Sequence, residues 1–140
     1  MVNFDPNFWP GYHQLAQVQE QRGEMDAALS AADTASRLSG GNSKAVSLQA
    51  YLLATTGCED EARGILTALE ETATSRYVPP YAIALGYLGL RRVDTTFQWL
   101  ERAYDARDVH LVFAPVDPKW DPYRSERRFE EVMSRCGFTR

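Results

Sequence analysis

The chain is poor in the residues on which metal and redox chemistry rest. Of its 140 residues only two are cysteine and two histidine. Cys58 and Cys136 lie far apart, and a hydrophobic fraction of 44% supplies a core without a covalent staple, so both are read as reduced thiols. His13 and His110 have no cysteine or second histidine at ligand spacing, which speaks against a zinc site or a histidine-centred catalytic site. Both are expected in structural or surface roles. No apolar run approaches the roughly 20 residues that a bilayer-spanning helix needs, and residues 1–6 lack the basic and apolar regions of a signal peptide. The expected setting is cytoplasmic. A net charge of -4 gives no electrostatic reason to approach nucleic acid or an anionic membrane. The C-terminal arginines, Arg124, Arg127, Arg128, Arg135 and Arg140, are interleaved with acidic residues and form no continuous basic stripe.

Other chemistries lack their residues as well. Gly40 and Gly41 are followed by Lys44 without the spacing of a phosphate loop. The carboxylate pairs Glu59/Asp60, Glu70/Glu71 and Glu130/Glu131 are sequence neighbours, which on a helix do not share a face. The expectation is a non-enzyme with no catalytic residue, no metal and no cofactor.

What is present is a repeat. Gly23, Gly57 and Arg91 occupy loop-like positions separated by 57 - 23 = 34 and 91 - 57 = 34 residues, the period of a helix-turn-helix solenoid unit. With Trp9, Ser43 and Tyr77 as first positions, Ala16, Ala50 and Ala84 fall at one equivalent site, and Ala28, Ala62 and Thr96 at another. In the second helix of each unit, Ala32, Leu66 and Leu100 align, then Ala35, Leu69 and Ala103. The result is an i, i+4, i+7 packing stripe. Asn42 and Ser43 are placed to cap a helix, Pro79 and Pro80 to open one, and Gly40 and Gly41 to close one. These signals predict helices near 7–22, 24–38, 43–56, 59–72, 78–90 and 94–107, with ends good to a few residues. The segment from Tyr81 to Leu90 is apolar nearly all round, so its helix is expected to touch neighbours on more than one side.

These residues resemble the tetratricopeptide repeat, which places a large residue at position 4, small ones at 8, 20 and 27, and glycine near 15. The resemblance covers about residues 7–107. Departures are Gln19, Gln49 and Glu59 at usually apolar positions, Pro80 for a large residue, and Arg91 for the loop glycine. The implied fold is all-α: an α-solenoid of three helix-turn-helix repeats at about 9–42, 43–76 and 77–108, followed by a wrap and a capping helix, forming one domain over 1–140. Residues 125–137 suit the cap, with Ser125 as its start and Phe129, Val132, Met133 and Cys136 on one side, because a solenoid's last helix exposes an apolar face until something covers it. Pro115, Pro118 and Pro122 block regular helix in the wrap, 109–124, which is expected to run extended on the array. Phe113 and Trp120 in it would be costly to leave in water. The segment 116–133 looks like the closing element after such repeats in bacterial multidomain signalling proteins, among them winged-helix regulators, adenylate cyclases and serine/threonine kinases. Residues 5–8 look like a join between repeats.

The resemblance also implies a binding face. First helices of such arrays line a concave groove, and the corresponding positions here are His13, Gln14, Gln17 and Gln21, then Ser47, Leu48, Tyr51 and Thr55, then Tyr81, Ala82, Leu85 and Leu88. The groove grades from polar to apolar. Some family members hold a terminal carboxylate with lysine, arginine and asparagine, whereas the matching positions hold His13, Gln17, Leu48, Val78 and Ala82, so a chaperone-tail carboxylate clamp is not expected. The implied function is a protein-protein interaction scaffold taking a protein or peptide segment, or the chain's own upstream domains. The alternatives are a homodimerisation module and a regulatory appendage of an absent enzyme.

Overall fold

The computed structural model describes residues 9–137. The expected helix start at residue 7, the segment 5–8, the Phe113 side chain and Arg140 lie outside the described residues. Six helices come first: α1 (Trp9–Gln21), α2 (Met25–Leu38), α3 (Ser43–Thr55), α4 (Glu59–Thr72), α5 (Pro80–Gly89) and α6 (Val93–Asp105). Two 3₁₀ turns follow, Val109–Phe113 and Pro118–Tyr123, then α7 (Arg127–Arg135). The fold is an all-α solenoid of paired helices, and no strand occurs among the described residues.

Helix ends follow local chemistry. Asn42 caps α3 by accepting a hydrogen bond from the Lys44 amide at 2.9 Å, and Pro80 opens α5, where its missing amide has no helical partner to lose. Gly41 closes α2, its amide donating back to Ser36 at 2.9 Å. Between paired helices the chain turns through a left-handed residue, Gly23 (φ 76°) and Gly57 (φ 94°) in the first two units. Arg91 takes the same conformation at φ 59°, although a side chain disfavours it. The turn geometry of the repeat therefore overrides residue preference in the third unit.

The stripe read from the 34-residue register is the buried face. Ala28, Ala32 and Ala35 of α2, Ala62, Leu66 and Leu69 of α4, and Thr96, Leu100 and Ala103 of α6 are all buried, as are Ala16, Ala50 and Ala84. Small residues let the first helices approach closely. A Cβ on Gly89 would sit 2.9 Å from the Tyr51 carbonyl oxygen and 3.0 Å from its Cα, so α5 and α3 meet backbone to side-chainless backbone. Helix α5 packs against α3, α4 and α6 and meets the second 3₁₀ turn, in keeping with its apolar circumference.

The segment after α6 departs from the expected extended path. Asp108 accepts the His110 amide and Asp117 the Lys119 amide, each at 3.0 Å, and each bond starts a 3₁₀ turn. The prolines prevent α-helix, yet these aspartates supply local caps that coil the chain. Trp120 is fully buried, in a cluster with Tyr81, Leu88, Phe97, Leu111 and Phe129. Helix α7 begins after Glu126, one residue past the expected Ser125, and no side chain caps it. Its start is held instead by the Arg128 guanidinium, 2.8 Å from Asp94 of α6 and 4.9 Å above the Phe97 ring. Phe129, Val132 and Met133 are buried while Arg127, Glu131 and Arg135 are exposed, so α7 turns its apolar side onto α6.

Candidate functional site: a concavity closed by the wrap

The first helix of each unit contributes one wall to a concavity of about 630 Å³. From α1 come Trp9, His13, Gln14 and Gln17; from α3, Lys44, Ser47, Leu48 and Tyr51; and from α5, Tyr81, Ala82 and Leu85. Asn42, Ser43 and Pro79 add to the lining at the starts of α3 and α5, and the wrap supplies His110 and Val116 to Lys119. Seven of the nine principal groove residues expected from the sequence thus come together. Thr55 and Leu88 do not line the space: Thr55 is exposed at the end of α3 with its hydroxyl on the Leu52 carbonyl, and Leu88 is buried in the cluster around Trp120. Gln21 is likewise outside the lining, at the exposed end of α1.

Tyr81 is placed differently from an accessible groove contact. Only 4% of it is exposed, its hydroxyl accepts a 2.9 Å hydrogen bond from the Trp120 indole, and its amide donates to Asp108 Oδ2 at 3.0 Å. The wrap therefore covers the apolar third-repeat end of the groove, and the open part lies toward α1 and the start of α3.

The chain's only two histidines and only two lysines all line this concavity. His13 is nearly buried and stacks edge-on against Trp9 with ring centroids 6.0 Å apart. Its Nδ1 has no hydrogen-bond partner among the described residues. Burial lowers its pKa to about 4, helped by the positive charges of Lys44 and Lys119, so the ring is neutral near neutral pH. His110 is held by its Nδ1 against Asp108 Oδ1 at 2.7 Å. That carboxylate also accepts from the Tyr81 amide in the first turn of α5, which assigns Asp108 to joining the wrap to the helix N-terminus. Ser47, the neighbouring hydroxyl on α3, donates to the Ala82 carbonyl of α5 and ties the two helices together.

Lys119 crosses the groove. Its Nζ lies 3.2 Å from Glu20 Oε1 of α1 and 3.9 Å from Asp117 Oδ1, with 4% of the side chain exposed. The contact to Glu20 is an ion pair without hydrogen-bond alignment. The same ammonium sits 5.2 Å above the Tyr51 ring. Burial, then the carboxylates of Glu20 and Asp117, raise the Tyr51 pKa, keeping that hydroxyl neutral. Sequence reading missed Lys119 because its partner Glu20 is 99 residues away, a separation no local pattern encodes. The signal available was a cation beside a large aromatic inside a proline-punctuated segment.

A lining of aromatic, aliphatic and amide side chains with a few fixed charges suits recognition of a mixed apolar and polar surface. No group of three or more metal-ligating side chains forms among the described residues, and no helix there is long and apolar enough to cross a membrane. Comparison with curated proteins and with solved structures gave no match. A family model for the tetratricopeptide repeat matches residues 3–114, four fifths of the chain, and the protein belongs to the tetratricopeptide-repeat family.

Proposed function

We propose that the protein is a non-catalytic interaction module whose open concavity receives a short segment of a protein partner. Repeats of this family generally mediate protein-protein interaction, and one observation carries the reading to this surface: α1, α3 and α5 enclose about 630 Å³ between side chains that are large, mostly uncharged and held in place. That volume suits a few residues rather than a long helix, within the roughly 300–1,000 Å³ of ordinary ligand pockets. Leu85 and Tyr51 offer apolar contact, and Gln14 and Gln17 offer amides for a partner's backbone. The resemblance of 116–133 to closing segments in bacterial signalling proteins supports a role as the C-terminal module of a larger cytoplasmic regulatory polypeptide.

The test is affinity capture from cell extract with the wild-type chain, Leu85→Ala and Gln17→Ala. Both residues are half-buried, so helicity should be kept. A protein held by wild type and lost from both variants supports the reading. Equal capture by all three folded chains removes the groove from consideration. Self-association is a second reading, favoured by Leu15 and Val18, which stand 38% and 46% exposed on α1. Light scattering across concentration separates the two.

A further inference from the structure

The covered end of the groove holds more information about a partner than the open end, because the chain itself occupies it. We infer that the wrap is an internal ligand of the array, and that the surface beneath it accepts a partner segment carrying a basic residue next to a large aromatic one, as Lys119 and Trp120 are. This deepens, and rests on, the reading of the concave face as a site for a partner segment.

Three observations support it. Among the described residues the backbone hydrogen bonds of the wrap join sequence neighbours: Leu111 to Asp108, Ala114 to Leu111, Trp120 to Asp117, Arg124 to Asp121, and Glu126 to Tyr123 at its end. Its attachments to α1 and α5 run through side chains, as a bound peptide's anchors do: Lys119 to Glu20 and the Trp120 indole to the Tyr81 hydroxyl, with the Asp108 carboxylate accepting from the Tyr81 amide just before the wrap begins. The wrap is also a thin layer, since Val109 and Val112 are 74% and 57% exposed although Leu111 between them is buried.

The second element is chemical complementarity. Lys119 stands between two carboxylates and over an aromatic face, and a buried ion pair yields little net stability while strongly selecting its partner's charge. An incoming segment with its own cation would keep Glu20 satisfied, and its aromatic side chain would refill the Trp120 position against Tyr81 and Phe129. A segment lacking either would leave a buried charge or a cavity. Arg107, just before the wrap, sits at φ 56°, a strained position where the segment leaves the array.

The probe is a fluorescein-labelled peptide spanning residues 115–124, titrated into the full chain and read by anisotropy. In the Lys119→Glu chain the resident wrap is repelled by Glu20, and the peptide should bind at least tenfold more tightly than to wild type. A peptide carrying Lys119→Glu should not bind it, and one carrying Trp120→Ala should lose at least tenfold. In a Glu20→Lys chain the preference should reverse toward the Lys119→Glu peptide. Equal binding to mutant and wild-type chains, indifference to the peptide's charge, or no binding by any folded variant overturns the inference. Lys119→Gln serves if Lys119→Glu loses helicity. Hydrogen exchange on the wild-type chain adds an arm independent of variants: the amides of Leu111, Ala114 and Trp120 should open faster than those of α5 and α6, and uniform exchange counts against a detachable wrap. A wild-type mass that doubles with concentration would assign the site to a second copy's wrap and overturn the assignment to a different protein. Leu85-dependent capture that persists while the peptide fails rejects this inference alone; failure of both rejects the groove reading as well.

Discussion

The first and third repeats share one register and are built from different material. The core of the first is largely alanine, with Ala16, Ala28, Ala31 and Ala32 around Leu48 and Leu52. The third buries Tyr81, Leu88, Phe97 and Leu100 and adds Trp120, Phe129, Val132 and Met133 from the wrap and cap. Alanine lets helices approach but removes little apolar area, whereas aromatic burial scales with area at roughly 25 cal/mol per Å². Identical topology therefore carries unequal local stability, as expected of an array in which each unit touches only its neighbours. Lys119 and Glu20 then tie the rich end to the lean one.

The largest effect should come from emptying the rich end. Trp120→Ala removes a fully buried indole and the hydrogen bond to Tyr81, and is expected to cost about 3–5 kcal/mol in urea denaturation. A cost under 1 kcal/mol would show that the wrap is not part of the third repeat's core. At the lean end, acid should be the sharpest probe, because His13 is held neutral. Its folded pKa of about 4 lies below the ordinary 6.5, so the unfolded chain binds the proton first. Stability is intact above pH 6.5, falls as pH drops toward 4, and levels off below; the loss from this group is at most about 3 kcal/mol. His13→Gln should flatten that part of the stability profile, while an unchanged slope would assign it to other groups.

Smaller effects test how the units join. Gly89→Ala drives a Cβ into the Tyr51 backbone and should cost about 1–3 kcal/mol in thermal unfolding, as overpacking does. If it is neutral, α3 and α5 separate more easily than their contact suggests. Arg91→Gly places in the third unit the residue its equivalents already have, and relief of the left-handed strain should raise stability by about 1 kcal/mol. A native-state hydrogen-exchange map supplies the direct comparison: α1 and α2 should exchange faster than α5 and α6.

Much of this was legible in order along the chain. The 34-residue spacing of Gly23, Gly57 and Arg91 anticipated the three turns, and the triplets through Ala32, Leu66 and Leu100 anticipated the buried face. Helix ends fell within about two residues wherever a cap was local, as at Asn42, Pro80 and Gly41. The cap of α7 falls at Glu126, one residue past Ser125, and a contact between Arg128 and Asp94, 34 residues apart, holds that end where no side chain caps it. Of the groove, His13, Gln14, Gln17, Leu48, Tyr51 and Leu85 were legible through periodicity and resemblance, since helical phase alone sets which residues face inward.

Sequence by itself thus determined the helices, their register and the direction of their faces, because all three follow from interactions between residues within about four positions of each other. Only the tertiary structure decided what lies on the concave face. The burial of Tyr81 under Trp120, the reach of Lys119 to Glu20, and the meeting of both histidines with both lysines depend on the path of a segment whose prolines exclude the regular helix that periodicity can read. Contacts made across nearly a hundred residues leave no period in a sequence, and here they separate the open part of the groove from the part the chain fills itself.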